Sequence, residues 1–233
     1  IIRLFNHSIT MVQAWVYNDQ PEVDQRESHQ YTPNQAVPLE SLAALGVLHW
    51  TIDPSGCEED PCKGELGRIR NERSYKNHDI ITVSPEKLPN YEAKIKSFFE
   101  EHLHEDEEIR FCLEGQGYFD VRNDLDSKWI RILVKSGDMI VLPAGMYHRF
   151  TLDTSNYIKV IRLFQDAPRW EAINRGEKAE ATPARKQYLD FSNEIDTNKS
   201  LYQASASASS TTSVGVNGES FILQEGAKSI ANY

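Results

Sequence analysis

The segment Glu100-Glu-His-Leu-His-Glu-Asp-Glu-Glu-Ile-Arg110 crowds six carboxylates and two histidines into its first nine positions. His102 and His104 stand two apart, so on extended backbone both rings point to one face. Glu108 and Arg110 share that parity. Imidazole and carboxylate together form the donor set of a borderline divalent ion such as Fe(II), Ni(II), Mn(II) or Zn(II). A second segment, Pro143-Ala-Gly-Met-Tyr-His148, closes a β-prone run, and its Pro/Gly turn is expected to aim His148 back into the same interior.

The rest of the chain must position these groups. Its 233 residues suffice for a sizeable core, with 39% hydrophobic and 26% charged residues, a balance typical of a soluble globular protein. Acidic residues outnumber basic ones 35 to 25, and no Lys/Arg-rich run occurs, which speaks against nucleic acid or anionic membranes as partners. No apolar stretch approaches a membrane span, and the opening Ile-Ile-Arg-Leu-Phe-Asn-His does not resemble a leader. Three cysteines cannot all pair, so the expectation is a reducing compartment and a cytoplasmic protein. Cys57 and Cys62 lack a second pair that would complete a zinc site.

Along the chain, Met11–Tyr17 predicts a strand, Leu39, Leu42 and Leu45 a helix ended by Gly46, and Val47–Ile52 a second strand. Glu58–Asn71 predicts a solvated helix, His78–Ser84 a strand, and Asn90–Glu101 a helix with Tyr91, Ile95, Phe98 and Phe99 at helical spacing. Six short β-runs follow: 109–113, 118–122, 129–134, 139–142, 147–152 and 157–164. Turn residues separate them, a pattern that argues for an antiparallel sandwich or barrel. The expected organisation is an extension over 1–10, one catalytic domain over 11–191, and a flexible Ser/Thr/Ala-rich tail over 192–233, with order fading from about Tyr188.

Two joint patterns sharpen the chemistry. His102, His104, Glu108 and Gly115 satisfy His-x-His-x3-Glu-x6-Gly, and Gly137, Pro143, Gly145 and His148 satisfy Gly-x5-Pro-x-Gly-x2-His. These resemble the two motifs of the cupin superfamily, implying a mainly β double-stranded β-helix, a jelly-roll barrel with a few peripheral helices. Lys96 and Leu152 depart from the pattern at positions that supply no ligand. A rival arrangement, His104, Asp106 and His148 as the two-His-one-carboxylate triad of Fe(II) oxygenases, leaves His102 and Glu108 unexplained. A different class of reading is a metal- or partner-binding cupin without turnover. The remaining histidines (7, 29, 49 and 78) and the four tryptophans are expected to be structural.

The resemblance narrows further. Met11–Trp15, Leu45–Trp50, Lys87–Tyr91, Phe99–His104, Glu107–Arg110, Gly117–Arg122, Leu142–Leu152 and Ile161–Phe164 resemble the acireductone dioxygenases, in order, from about residue 11 to 175. That resemblance implies an enzyme of methionine salvage acting on an acireductone, an ene-diol ketone, with O2. It implies one Fe(II) or Ni(II) per chain on His102, His104, Glu108 and His148, the metal deciding the products. It also assigns Arg110 to a substrate oxygen and places Phe98 and Phe150 beside the substrate. Four ligands on an octahedral ion leave two positions for a chelating ene-diolate. A monomer in the cytoplasm, and also in the nucleus, completes the expectation.

Overall fold

The computed structural model describes residues 13–169 and 171–209. Expectations for residues 1–12, His7 and Met11 among them, and for Trp170 therefore lie outside the described residues. The elements run β1 (Gln13–Val16), α1 (Leu39–Ala44), β2 (Leu48–Thr51), α2 (Gly64–Glu72), β3 (Asn77–Val83) and α3 (Tyr91–Phe99). Then come β4 (His102–Leu103), β5 (Glu108–Asn123), β6 (Lys128–Lys135), β7 (Asp138–Leu142), β8 (His148–Leu152) and β9 (Ile158–Phe164). The described elements end with β10 (Ile173–Asn174), α4 (Glu177–Glu180) and α5 (Pro183–Ser209).

All strand pairings are antiparallel and form two faces of a barrel. One face runs β1-β6-β5-β8-β4-β10, and the other runs β2-β7-β5-β9-β3. Strand β5 belongs to both. The Gly115–Gly117 region, expected to be a turn between two strands, is instead continuous with them. What the glycines permit is a bulge: Cys112 opposes Val160, and Glu114 opposes Lys159. Gly115 has φ +74°, and a Cβ there would lie 2.3 Å from the Tyr157 carbonyl oxygen.

The bulge inverts the alternation of the strand. Before it, Ile109, Phe111 and Leu113 pack outward with Leu66 and Ile69 of α2, leaving Glu108, Arg110 and Cys112 to face inward. After it, Phe119 and Val121 join the inner core with Ile132, Val134, Leu152, Ile158 and Val160. Helix α3 lies beside β8, with Ile95 buried and Phe98 turned towards that core.

Two local expectations change. The charged helix starts only at Gly64, because residues 55–62 fold as turns. Beyond Tyr188, where no helix is expected, α5 continues through Ser209, so the described part of the tail, residues 192–209, is helical. Pro183 occupies a favourable first position, and no Gly or Pro follows until Gly215. By contacts the chain divides after Ile195.

Candidate active site

Three strand ends bring the histidines together. His102 on β4 pairs in register with His148 at the start of β8, and His104 follows β4 directly. Their ring centroids are 4.5 Å (His102–His148), 5.2 Å (His102–His104) and 5.3 Å (His104–His148) apart. Gly145, in the turn before β8, donates its N–H to the His104 carbonyl at 2.9 Å, tying the two segments together.

Each ring is oriented through Nδ1. The acceptors are the carbonyl oxygens of Glu100 for His102 at 2.7 Å, Glu171 for His104 at 2.8 Å and Met146 for His148 at 3.0 Å. A carbonyl only accepts, so each Nδ1 carries the proton and each Nε2 keeps its lone pair. One nitrogen from each ring lies within 4.8 Å of the others, the one group of three or more potential ligands among the described residues. The Nε2 of His148 is buried and has no hydrogen-bond partner. Such an orphan is costly unless something is meant to fill it.

Glu108, the first residue of β5, stands at the edge of this group. Its Oε2 is 3.5 Å from His104 Nε2, and its Oε1 accepts from Arg110 Nη2 at 2.6 Å. Burial alone would raise the Glu108 carboxyl, but the Arg110 guanidinium and the three imidazoles outweigh it and bring the pKa down to about 2. Burial, reinforced by neighbouring imidazoles, holds His148 well below the ordinary histidine range. Burial also lowers His102. At neutral pH these groups therefore stand as neutral imidazole and carboxylate, the forms that bind metal.

The group forms one end of a cavity of about 680 Å³. Arg110 lines it, with Nη1 donating to the Ile109 carbonyl at 2.9 Å. Phe98 and Phe150 also line it as part of an apolar wall, with ring centroids 6.5 Å apart. Phe119, 5.0 Å from Phe150, and Ile81, Val83 and Val160 complete that wall. Sequence reasoning missed these four, although alternation along β3, β9 and the second half of β5 would have found them. It also missed Arg162, which lines the cavity opposite Arg110 in register and is held by Asp79 through two bonds of 2.6 Å.

The other candidates fall elsewhere. Asp106 lies on the rim, its side chain 57% exposed and 3.9 Å from Arg169. Glu107, on the cavity lining, bonds the connection between α2 and β3, accepting from Arg73 at 2.8 Å and the Tyr75 hydroxyl at 2.9 Å. Cys57 and Cys62 are free thiols outside any ligand group among the described residues. His29 is bonded to the Asn18 and Asp24 carbonyls, and His49 to Asp138. Cys112 is buried in the inner core.

Comparison with known proteins accounts for this combination. A profile of the ARD/ARD′ family matches residues 13–172. Acireductone dioxygenase 1 of Physcomitrium patens is 55% identical over 179 residues, covering 77% of this chain and 89% of the relative. The acireductone dioxygenase of Gallus gallus is 55% identical over 181 residues, covering 78% of this chain and 97% of its own. Among solved structures, the acireductone dioxygenase of Bacillus anthracis, with a cadmium ion in its active centre, superposes with a TM-score of 0.53. It is 24% identical and covers 70% of this chain and 98% of its own, a likeness that shows the shared cupin barrel. With more than half its length matched by the profile and such relatives across the same region, the chain belongs to the acireductone dioxygenase family of enzymes.

Proposed function

We propose that this enzyme cleaves the acireductone 1,2-dihydroxy-5-(methylthio)pent-1-en-3-one with O2 in methionine salvage. His102, His104, Glu108 and His148 would hold one Fe(II) or Ni(II) per chain. The observation that carries the reading is the buried, unpartnered Nε2 of His148, converging with two other imidazoles beside an ionised Glu108. That donor set fits a borderline divalent ion. When bound, the ion supplies a Lewis acid that favours the ene-diol as its anion and renders it electron-rich towards O2. The expected products are 4-(methylthio)-2-oxobutanoate and formate in the iron form, and 3-(methylthio)propanoate, formate and CO in the nickel form.

The chain's own residues do the positioning. Arg110 presents guanidinium N–H groups at the polar end of the cavity, where they hydrogen-bond a substrate oxygen and favour its anionic form. Phe98 and Phe150 receive the thioether chain and exclude water from the reacting end. The triad of His104, Asp106 and His148 is disfavoured, because the Asp106 carboxylate is exposed and faces Arg169.

The catalytic unit we propose spans residues 11–191 and acts as a monomer in the cytoplasm and nucleus. Its three free cysteines suit a reducing compartment, and no described helix is long and apolar enough to cross a membrane. The deciding experiment is product analysis after separate loading with Fe(II) and Ni(II), with metal content measured on Glu108→Ala and Asp106→Ala. The reading expects oxygen consumption in wild type and metal loss only in Glu108→Ala. Full metal in Glu108→Ala with loss in Asp106→Ala would install the triad instead.

A further inference from the structure

Two glycines two residues apart on β5 serve different ends. Gly115 answers a backbone demand, with its positive φ and the Tyr157 carbonyl oxygen in the way of any Cβ. Gly117 has no such φ, and it sits in register between Val134 of β6 and Leu152 of β8. Any residue could adopt its backbone. What a side chain would meet is the ring of Phe150: a Cβ would stand 2.9 Å from both Cε2 and Cζ, and 2.9 Å from the Thr151 carbonyl oxygen. The far edge of the ring thus rests on the strand where a side chain is missing.

From that berth Phe150 reaches Phe119 at 5.0 Å and Phe98 at 6.5 Å, and all three line the apolar end of the cavity. Phe119 is 4% exposed, so a displaced Phe150 cannot retreat through it. A Cβ at position 117 would drive the ring into the cavity. We infer that Gly117 is a specificity-determining residue, which sets the room for the substrate's apolar chain by giving Phe150 its seat. This rests on the proposed function for the identity of the chain and deepens that reading.

The test is Gly117→Ala, alone and combined with Phe150→Leu, assayed with the methylthio substrate and with an acireductone whose chain is cut to a methyl group. Gly117→Ala is expected to raise KM for the long substrate about 10-fold, the scale of a small misfit in an apolar pocket. It should leave metal content unchanged, change kcat about 2-fold at most, and spare the short substrate. In the double variant, where the flexible leucine yields, KM should return to that of Phe150→Leu alone. An equal loss for both substrates, or no relief in the double variant, overturns the inference. If Gly117→Ala does not fold, the double variant must restore folding; if it does not, the Thr151 carbonyl and not the ring is the obstacle, and the inference falls.

An inactive wild type would count against the functional reading alone, because ring displacement has its own readout. In protein labelled with 4-fluorophenylalanine, the Phe150 fluorine signal, assigned by its loss in Phe150→Leu, must shift on Gly117→Ala. An unmoved signal overturns the inference.

Discussion

The three imidazoles owe their aim to backbone carbonyl oxygens, not to the side chains their motifs specify. His102 and His148 use carbonyls two residues upstream, whereas His104 uses Glu171, 67 residues away. Local spacing therefore discloses two anchors and hides the third. Arg110 is held by Glu108 and the Ile109 carbonyl, and the role proposed for it depends on the planar fork of the guanidinium more than on its charge. Arg110→Lys is accordingly expected to keep full metal content yet lose about 10- to 100-fold in kcat/KM, the cost of a lost charge-assisted bond. Steady-state kinetics beside metal analysis checks this. Thiol reactivity is equally a property of single sites. Cys62 is exposed, while burial pushes the Cys112 thiol up to about 12. Iodoacetamide at pH 8 should label Cys62 in the native protein and reach Cys112 only after unfolding, which peptide mass mapping would show.

At the scale of elements, the site is a meeting of strand ends held by the opposite face of the sheet. Asp120 of β5 and Arg131 of β6 are both buried, and Arg149 of β8 reaches the same carboxylate. The Arg131 guanidinium also lies over the rings of Tyr17 and Tyr118. Asp120 stands opposite Arg149 in register, one residue from the Val121–His148 pair, so the ion network locks the alignment that delivers His148. Asp120→Ala leaves two guanidinium groups uncompensated and should cost about 3–5 kcal/mol in urea unfolding. A double change that also replaces Arg131 with methionine should recover part of that loss. The barrel was legible in the sequence from the spacing of its β-runs, and the clustering of His102, His104 and His148 from their motifs. The continuity of β5 was not, because Gly115 reads as a turn wherever no partner strand shows that it bulges.

For the whole molecule, acid acts on the site through its histidines. His102 and His148 titrate lower folded than unfolded, so the metal-free protein has their stability in full above about pH 6.5 and loses it as pH falls towards the depressed values. Glu108 adds a second loss between its unfolded 4.5 and about 2. Urea midpoints of metal-free protein should thus fall as pH drops below 6.5, and His148→Gln should flatten the first part of that slope. The start of α5 belongs to the same body: Tyr188 is buried in the inner core cluster, and Arg185 pairs with Asp124. A chain ending at Ile195 is therefore expected to keep metal binding and turnover, and one ending at Thr182 to lose both, by calorimetry and oxygen uptake. The helical stretch beyond 192 was not legible because composition records only the abundance of Ser and Ala, whereas helix formation depends on the absence of breakers. The bulge in β5 has a consequence for how such enzymes can diversify. In the function we propose, residues upstream of it would meet the oxygen-bearing head of the substrate, and residues downstream its tail. One strand thus carries two independently mutable registers, and a lineage could retune chain preference at Gly117 without disturbing the chemistry proposed for Arg110, seven residues earlier.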